Sequence, residues 1–423
     1  MMMFQRPSKI RHHATARGEN SKRRGSMTLV AMMSLLVIVG GVALALDRLW
    51  LDNAKTELEI AVEAAALRSG QLLASDDLLR PDADIESRLQ HARHEAGRIA
   101  RENFIAGKPV ELNLDAEGDI RFGRLIHRER TGEYVFVETI DSPTSVVVRG
   151  LHSRSRNNPV ATLLNGATGN AGADVSALSE ASIDNRIVGF QPLAGVPIPA
   201  LPLAILENAK DGDSRESWAN QIEDRQGLDQ YGYDERTGEI TRGSDGIPEI
   251  HLRSVLRRGD PDKANVHVFD VNGSSTIDGL MGQFPDGWTE QDLPKPLAGF
   301  RLNEGTDEFD TVDGIHGSTP RVLEETIGQC RILFLYENFL ANGRSGAGRI
   351  EISRPVAGRV LSVEVLQDDG CKLIIQPGVM TTRTAILTDD DAGSNSDWSN
   401  RRSSADDSEQ VANRYIYKLQ ITN

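Results

Sequence analysis

The stretch Met27-Thr28-Leu29-Val30-Ala31-Met32-Met33-Ser34-Leu35-Leu36-Val37-Ile38-Val39-Gly40-Gly41-Val42-Ala43-Leu44-Ala45-Leu46 contains no charged residue. At about 1.5 Å per residue, such a run forms a helix about 30 Å long, the thickness of a bilayer hydrocarbon core. Lys22, Arg23 and Arg24 stand directly before it, and Asp47, Arg48 and Trp50 directly after. Basic residues favour the cytoplasmic side, and tryptophan favours the membrane–water interface. The reading is a single-pass inner-membrane helix over 27–46. The N-terminus is expected in the cytoplasm and the C-terminal body in the periplasm or outside the cell. Two other readings of the run are a core helix of a soluble protein and a cleaved signal peptide. Ala43-Leu44-Ala45 fits a signal-peptidase pattern. The length of the run favours retention.

Charge divides the 423-residue chain at the same place. Residues 1–26 carry Arg6, Lys9, Arg11, Arg17, Lys22, Arg23 and Arg24 against Glu19, a net charge of +6. The remainder of a chain at −15 therefore carries −21. So acidic a body repels nucleic acid, and no nucleic-acid partner is expected. Hydrophobic residues make up 39%, enough for a packed core. Aromatics make up only 5%, so that core is expected to be mainly aliphatic.

Beyond the apolar run, Leu51, Ala54, Leu58, Ala61 and Ala65 recur at helical spacing and form one stripe. Small side chains let a partner come close. That partner is either a helix of another protein or the chain's own body. Gly70 is expected to end or loosen this helix, and a second helix is expected over 85–104, after Pro81. Short alternating segments at Val110–Leu114, Asp119–Phe122, Tyr134–Thr139 and Ser145–Arg149 read as strands.

The same region resembles a known family. Arg24-Gly25, the apolar run ending in Asp47-Arg48-Leu49, and then Leu51-Asp52-Asn53-Ala54 and Glu63-Ala64-Ala65-Ala66-Leu67 resemble the TadE/TadG-like proteins of the Tad (Flp) pilus-assembly system. Phe122-Gly123, Ser145-Val146-Val147-Val148-Arg149, Asn158-Pro159-Val160 and Asp174-Val175-Ser176-Ala177 extend the resemblance over about 23–190. It implies an envelope assembly component that acts through protein–protein contacts, with inner-membrane and other pilus-assembly or envelope proteins as partners. The stripe would be its docking face. Two departures narrow it. No acid follows Gly25 at the fifth position, as prepilin processing requires. Asp174-Val175-Ser176-Ala177-Leu178 lacks the last serine of a D-x-S-x-S metal motif.

The expected architecture is α+β. It comprises a basic tail (1–26), the membrane helix (27–46), a helical stalk (47–106), a small β-rich domain (107–192), a proline-rich connector (193–206) and an α+β domain (207–423). Pro197, Pro199 and Pro202 argue for the extended connector. In the last domain, helices are expected at 214–223, 276–284 and 319–327. Strands are expected at 265–271, 331–336, 349–353, 359–366, 372–376 and 415–421, with a loop over 388–408.

Cys330 and Cys371 fit no metal spacing. They are read either as a disulfide or as two separate buried thiols. Asp270-Val271-Asn272-Gly273-Ser274 opens like a calcium loop, but Ser275 and Met281 stand where glycine and glutamate are needed. Asp389, Asp390, Asp391, Asn395 and Asp397 read as a solvated acidic loop, with a hard-cation site as the alternative. No nucleophile elbow, zinc-protease helix or phosphate-binding loop is present. No catalytic, cofactor-binding or metal-binding residue is assigned. The alternatives to an assembly protein are a tethered envelope enzyme with its site in 207–423 and a surface adhesin.

Overall fold

A computed structural model describes residues 24–128, 133–162, 172–210, 212–235, 237–254, 263–273, 276–294, 299–301, 307–312, 314–315, 317–341, 347–366, 370–388 and 412–422. The basic tail before residue 24, Ser274, Ser275 and the acidic loop from Asp389 to residue 408 lie outside the described residues. The chain forms two compact units, 1–56 with 152–175, and 57–151 with 176–423. This division differs from a sequential stalk, β-domain and C-terminal domain.

Helix α1 runs unbroken over Arg24–Leu73, and α2 over Ile85–Glu102. Asp84 caps α2 by accepting a bond from the Glu86 N–H, which supplies one of the acceptors a helix start lacks. The strands of the two main sheets are, in chain order, β1 (Ile120–Arg128), β2 (Glu133–Glu138), β3 (Ser145–His152), β4 (Val175–Asp184), β5 (Ala200–Leu206), β6 (Ile250–Ser254), β7 (Val266–Asp270), β8 (Asp307–Thr311), β9 (Cys330–Ala341), β10 (Gly348–Val365), β11 (Cys371–Pro377) and β12 (Ile416–Ile421). A β-rich body behind a long N-terminal helix is thus α+β, as expected.

In the larger unit, β12-β4-β3-β1-β2 lie side by side, with Met380–Thr381 added beyond β12. The second half of α1 packs on this sheet. A Cβ placed on Gly150 of β3 would lie 2.6 Å from Val62 Cγ2 and 2.8 Å from Leu58 Cδ1. One placed on Gly70 would lie 3.0 Å from Leu419 Cδ1 and 3.2 Å from the Ala181 Cβ. Gly70 therefore does not end the helix. It lets the helix approach β4 and β12 closely. Helix α2 buries Leu89, Ala92, Ala96 and Ala100 along one face, and the Arg93 guanidinium lies over the Phe122 ring at 5.0 Å. Val110–Leu114 is not a strand. It lies along α2, where a side chain at Gly97 would collide with Leu114.

The second sheet follows the order β6-β11-β10-β8-β7-β5-β9, and β9 also pairs with β10. Strands β10, β8, β7, β5 and β9 therefore close into a hydrogen-bonded ring. Trp288 stacks on Phe334 (5.2 Å between centroids), with Phe269 and Phe300 edge-on to Phe334. Gly287 must be glycine, because its φ is 80° and a Cβ would lie 2.2 Å from the Ile198 carbonyl oxygen. This close approach lets Trp288 exchange backbone bonds with Ile198.

Three expectations need correction here. The proline-rich segment 193–206 is not wholly a connector, since β5 is a fully buried strand between β7 and β9. Pro202 falls where the β5–β9 register shifts between Ala200 and Ala204, so its missing N–H interrupts no regular ladder. The segments expected at 349–353 and 359–366 are one strand, β10, running through Pro355. β8 pairs with β10 only as far as Ile352, and β11 begins at Gly358, so Pro355 faces a gap in the ladder on one side. The C-terminal strand β12 joins β4 in the first sheet rather than the sheet of the C-terminal half. Smaller shifts follow the same local chemistry. The helix expected at 214–223 is a single wide turn, with the Asp224 N–H bonded to the Ala219 carbonyl. The 276–284 helix is two short turns, Ile277–Leu280 and Gln283–Asp286. The one at 319–327 shortens to Thr319–Glu324 and keeps Pro320 in its first turn.

The helical layer meets the ring at Asp76, just past α1. Its Oδ2 accepts from Arg359 Nη1 at 2.8 Å, and its Oδ1 accepts from the Val379 N–H at 2.6 Å. Both side chains are nearly sealed from solvent, at 5% exposure for Arg359 and 7% for Asp76. Arg359 also donates from Nε to the Gly328 carbonyl (3.1 Å) and lies 3.5 Å over the Tyr233 ring. The Asp76 N–H donates to Glu235 Oε1 at 3.0 Å. Burial, and then the Asp76 charge, push the Glu235 carboxyl above its ordinary range. Removing one partner of a buried, hydrogen-bonded pair leaves an uncompensated charge. Arg359→Met is therefore expected to destabilise the larger unit by about 3–5 kcal/mol. Adding Asp76→Leu should recover part of that loss. Urea unfolding of the single and double variants checks this, and an undiminished stability in Arg359→Met would contradict it.

Candidate functional site

Among the described residues nothing covers the apolar run of α1. None of its apolar window is buried. Met32 is 73% exposed and Leu36 74%, on a helix that is apolar all round. Such a helix belongs in a protein core or in lipid. Among the described residues it is the one helix long and apolar enough to cross a membrane, judged by length and composition. The environment changes at Asp47, which is only 7% exposed. One turn later the Trp50 indole N–H donates to the Ala161 carbonyl at 2.9 Å.

The small-residue stripe follows. Leu51 is half-buried, and Ala54, Leu58, Ala61 and Ala65 are buried. In the larger unit Leu58 and Val62 pack on Gly150, so the chain's own sheet occupies the stripe there. Of the two partners left open by the sequence, the structure supplies the body itself. A docking face for a foreign helix at Leu58, Ala61 and Ala65 is corrected accordingly, because all three side chains are already buried within the chain's own larger unit. The complementary signal in the sequence was Gly150, a glycine two residues after Val146-Val147-Val148 that leaves room for a helix. Ala61→Glu is expected to cost about 4 kcal/mol or more, since it buries an unpaired carboxylate. Ile60→Glu, on the exposed side of the same helix, should change stability by no more than about 0.5 kcal/mol. Equal effects in thermal unfolding would contradict this packing.

Cys330 and Cys371 are both free. Cys330 sits opposite Arg359, Arg359 opposite Gln376, and Cys371 five residues along β11 from Gln376. That offset is about 17 Å along the strands, with two strand spacings across. A disulfide needs Cα atoms within about 7 Å. The two thiols therefore stand apart, Cys371 buried and Cys330 half-buried. Burial pushes the Cys330 thiol up to about 12 and that of Cys371 up to about 11, so neither is a thiolate at neutral pH.

Other sites raised by the sequence take simpler forms. Asp270 Oδ1 accepts from the Asn272 N–H at 2.9 Å, closing a turn at the end of β7. Asp174 Oδ1 accepts from the Arg154 N–H at 2.9 Å. Among the described residues no group of three or more His, Cys, Asp or Glu side chains could hold a metal ion.

Sequence reasoning missed a cleft of about 540 Å³ lined by residues that include Arg215, Glu216, His251, Arg253, Lys263 and Lys372. Arg215 is held by Asp213 (2.6 and 2.8 Å) and the Ala264 carbonyl. His251 Nδ1 lies 3.6 Å from Glu216 Oε1, an electrostatic contact rather than a hydrogen bond. These groups can hold a polar or anionic molecule. They do not form a nucleophile–base–acid series.

His267, on β7, was also missed. It stacks on Phe339 (4.2 Å, 9°) and lies edge-on to Tyr336. Burial, and then the Arg215 charge, push its pKa from 6.5 down to about 3. The unfolded chain therefore binds a proton that the folded chain refuses. The stabilisation is complete above about pH 6.5 and is lost as pH falls toward 3, at up to roughly 1.4 kcal/mol per pH unit. Between pH 7 and about pH 4.5, His267→Phe should lose roughly 2–3 kcal/mol less stability than the parent. Identical acid limbs in the two proteins would refute that.

No family model, curated protein or solved structure matches the chain.

Proposed function

We propose that this chain is a membrane-anchored extracytoplasmic protein that acts through protein–protein contacts, as a TadE/TadG-like component of an envelope assembly system. The observation that carries the reading is the uncovered apolar half of α1, continuous with a half whose small-residue stripe is buried. The cluster Lys22, Arg23 and Arg24 directly before the run supports an orientation with residues 1–26 inside and the body outside. The ordered sequence pieces over about 23–190 support the assembly role. Because the stripe is consumed by the fold, partner contacts fall to the exposed surface of the body.

The test uses native membranes. Alkaline carbonate should leave the protein in the membrane pellet. Protease added to spheroplasts should remove the body and leave a short N-terminal fragment ending near Trp50. Cross-linking before extraction should then capture envelope proteins. Release into the carbonate supernatant, or protection of the body from external protease, would defeat the reading.

A further inference from the structure

We propose that the cleft beside β6 binds a small organic phosphate ester through the ammonium groups of Lys263 and Lys372. This inference goes beyond the assembly reading and depends neither on the anchor nor on its partners.

The cleft lies at the last strand of the second sheet, where β6 pairs with β11 on one side. Side chains close its other edge. Asn265 Oδ1 accepts from the Arg253 N–H at 2.7 Å, and Asn265 Nδ2 donates to the His251 carbonyl at 3.0 Å and to the Glu216 carbonyl at 2.9 Å. Glu216 Oε2 accepts from the His251 N–H at 2.6 Å. These bonds hold the segment around Glu216 against the strand edge and make one wall. Along β6, Leu252 and Ser254 are buried, while His251 and Arg253 stay accessible. Directly across on β11, Lys372 is the register partner of Arg253. The space enclosed, about 540 Å³, falls in the range of small-molecule sites.

The lining carries four bases against two acids, on a chain whose residues beyond 26 sum to −21. Both acids are already engaged. Asp213 Oδ2 accepts from Arg215 Nε at 2.8 Å and Nη2 at 2.6 Å, and Glu216 takes the His251 N–H. Arg215 and Arg253 have partners of their own, so the ligand is not assigned to them. The two lysines differ. Among the described residues neither ammonium makes a hydrogen bond or ion pair, although the exposed Glu364 is the register neighbour of Lys372 on β10. On its other side Lys372 faces the like charge of Arg253, an arrangement that a bound anion relieves.

The chemistry of the two lysines selects the ligand. An ammonium is a compact charge with three donors on a flexible four-carbon stem, so two of them can close on one group. A phosphate monoester carries about −1.5 to −2 at neutral pH and presents three strong acceptor oxygens. That charge matches two ammonium groups, whereas a single carboxylate matches one. Leu366, also in the lining, gives the esterified part an apolar contact.

The test uses the full chain in nonionic detergent micelles, at an ionic strength held constant with sodium chloride. Glycerol phosphate and inorganic phosphate are titrated in by calorimetry. Saturable binding is expected, weaker by about tenfold or more in Lys263→Gln/Lys372→Gln. It should be unchanged in Lys108→Gln, an exposed lysine outside the cleft. Lys263 is exposed and Lys372 half-buried, so the double variant should unfold at the parent's temperature. Acetate should bind about tenfold or more weakly than glycerol phosphate. No saturable binding of either phosphate overturns the site. Binding that ignores both lysines overturns its placement in this cleft. Acetate binding as tight as glycerol phosphate overturns the phosphate assignment. Each of these failures leaves the anchor, which carbonate extraction tests separately, standing.

Discussion

The apolar half of α1 must leave water, and that requirement organises the sequence on either side of it. Among the described residues none of this uncharged run is buried, while the aliphatics of the two sheets pack within the body. The helix therefore changes environment along its length without breaking. Up to Leu46 its whole circumference is apolar. From Leu51 only one stripe is, and from Leu58 that stripe belongs to the core of the larger unit. The switch falls at Asp47 and Trp50, where a buried acid and an indole hydrogen bond mark the boundary.

Within the larger unit, one buried ion pair ties the helical layer to the ring of strands. Asp76 follows α1 almost immediately, Arg359 lies mid-way along the longest strand, and Glu235, Tyr233 and Gly328 complete the surroundings. Such a pair is poor evidence of added stability over an apolar replacement, because desolvating both charges is costly. Its geometric specificity is the clearer role. Asp76 reads the Val379 backbone with one oxygen and Arg359 with the other, so only one docking of the loop after α1 satisfies both.

What the sequence disclosed depended on how local the signal was. The apolar run, the stripe from Leu51 to Ala65 and the strands at β1, β2 and β3 were legible because each repeats at its own period, within a few residues. The uses of Pro202 and Pro355 were not. Each proline sits where a distant strand stops pairing, and that fact lies in the register rather than in the neighbourhood. The same holds for Cys330 and Cys371, which open apolar strands of one sheet yet are separated by a five-residue offset. β12 reads correctly as a strand, but its partner β4 is more than 230 residues away. The burial of His267 and the convergence of Arg215, His251 and Lys372 on one cleft likewise arise only when the ring closes. For the docking stripe, the period was legible and the partner was not, because small residues accept a foreign helix and a home sheet equally well.

The central claim is that the uncovered apolar helix is a permanent anchor in the mature protein. The N-terminal residue of the protein isolated from native membranes tests it most directly. The account predicts a chain that begins upstream of Gly25, with Met27–Leu46 intact. A mature chain beginning at or just after Leu46 would make the run a removed signal. The body would then be free of the membrane, and the tethered assembly role would be contradicted.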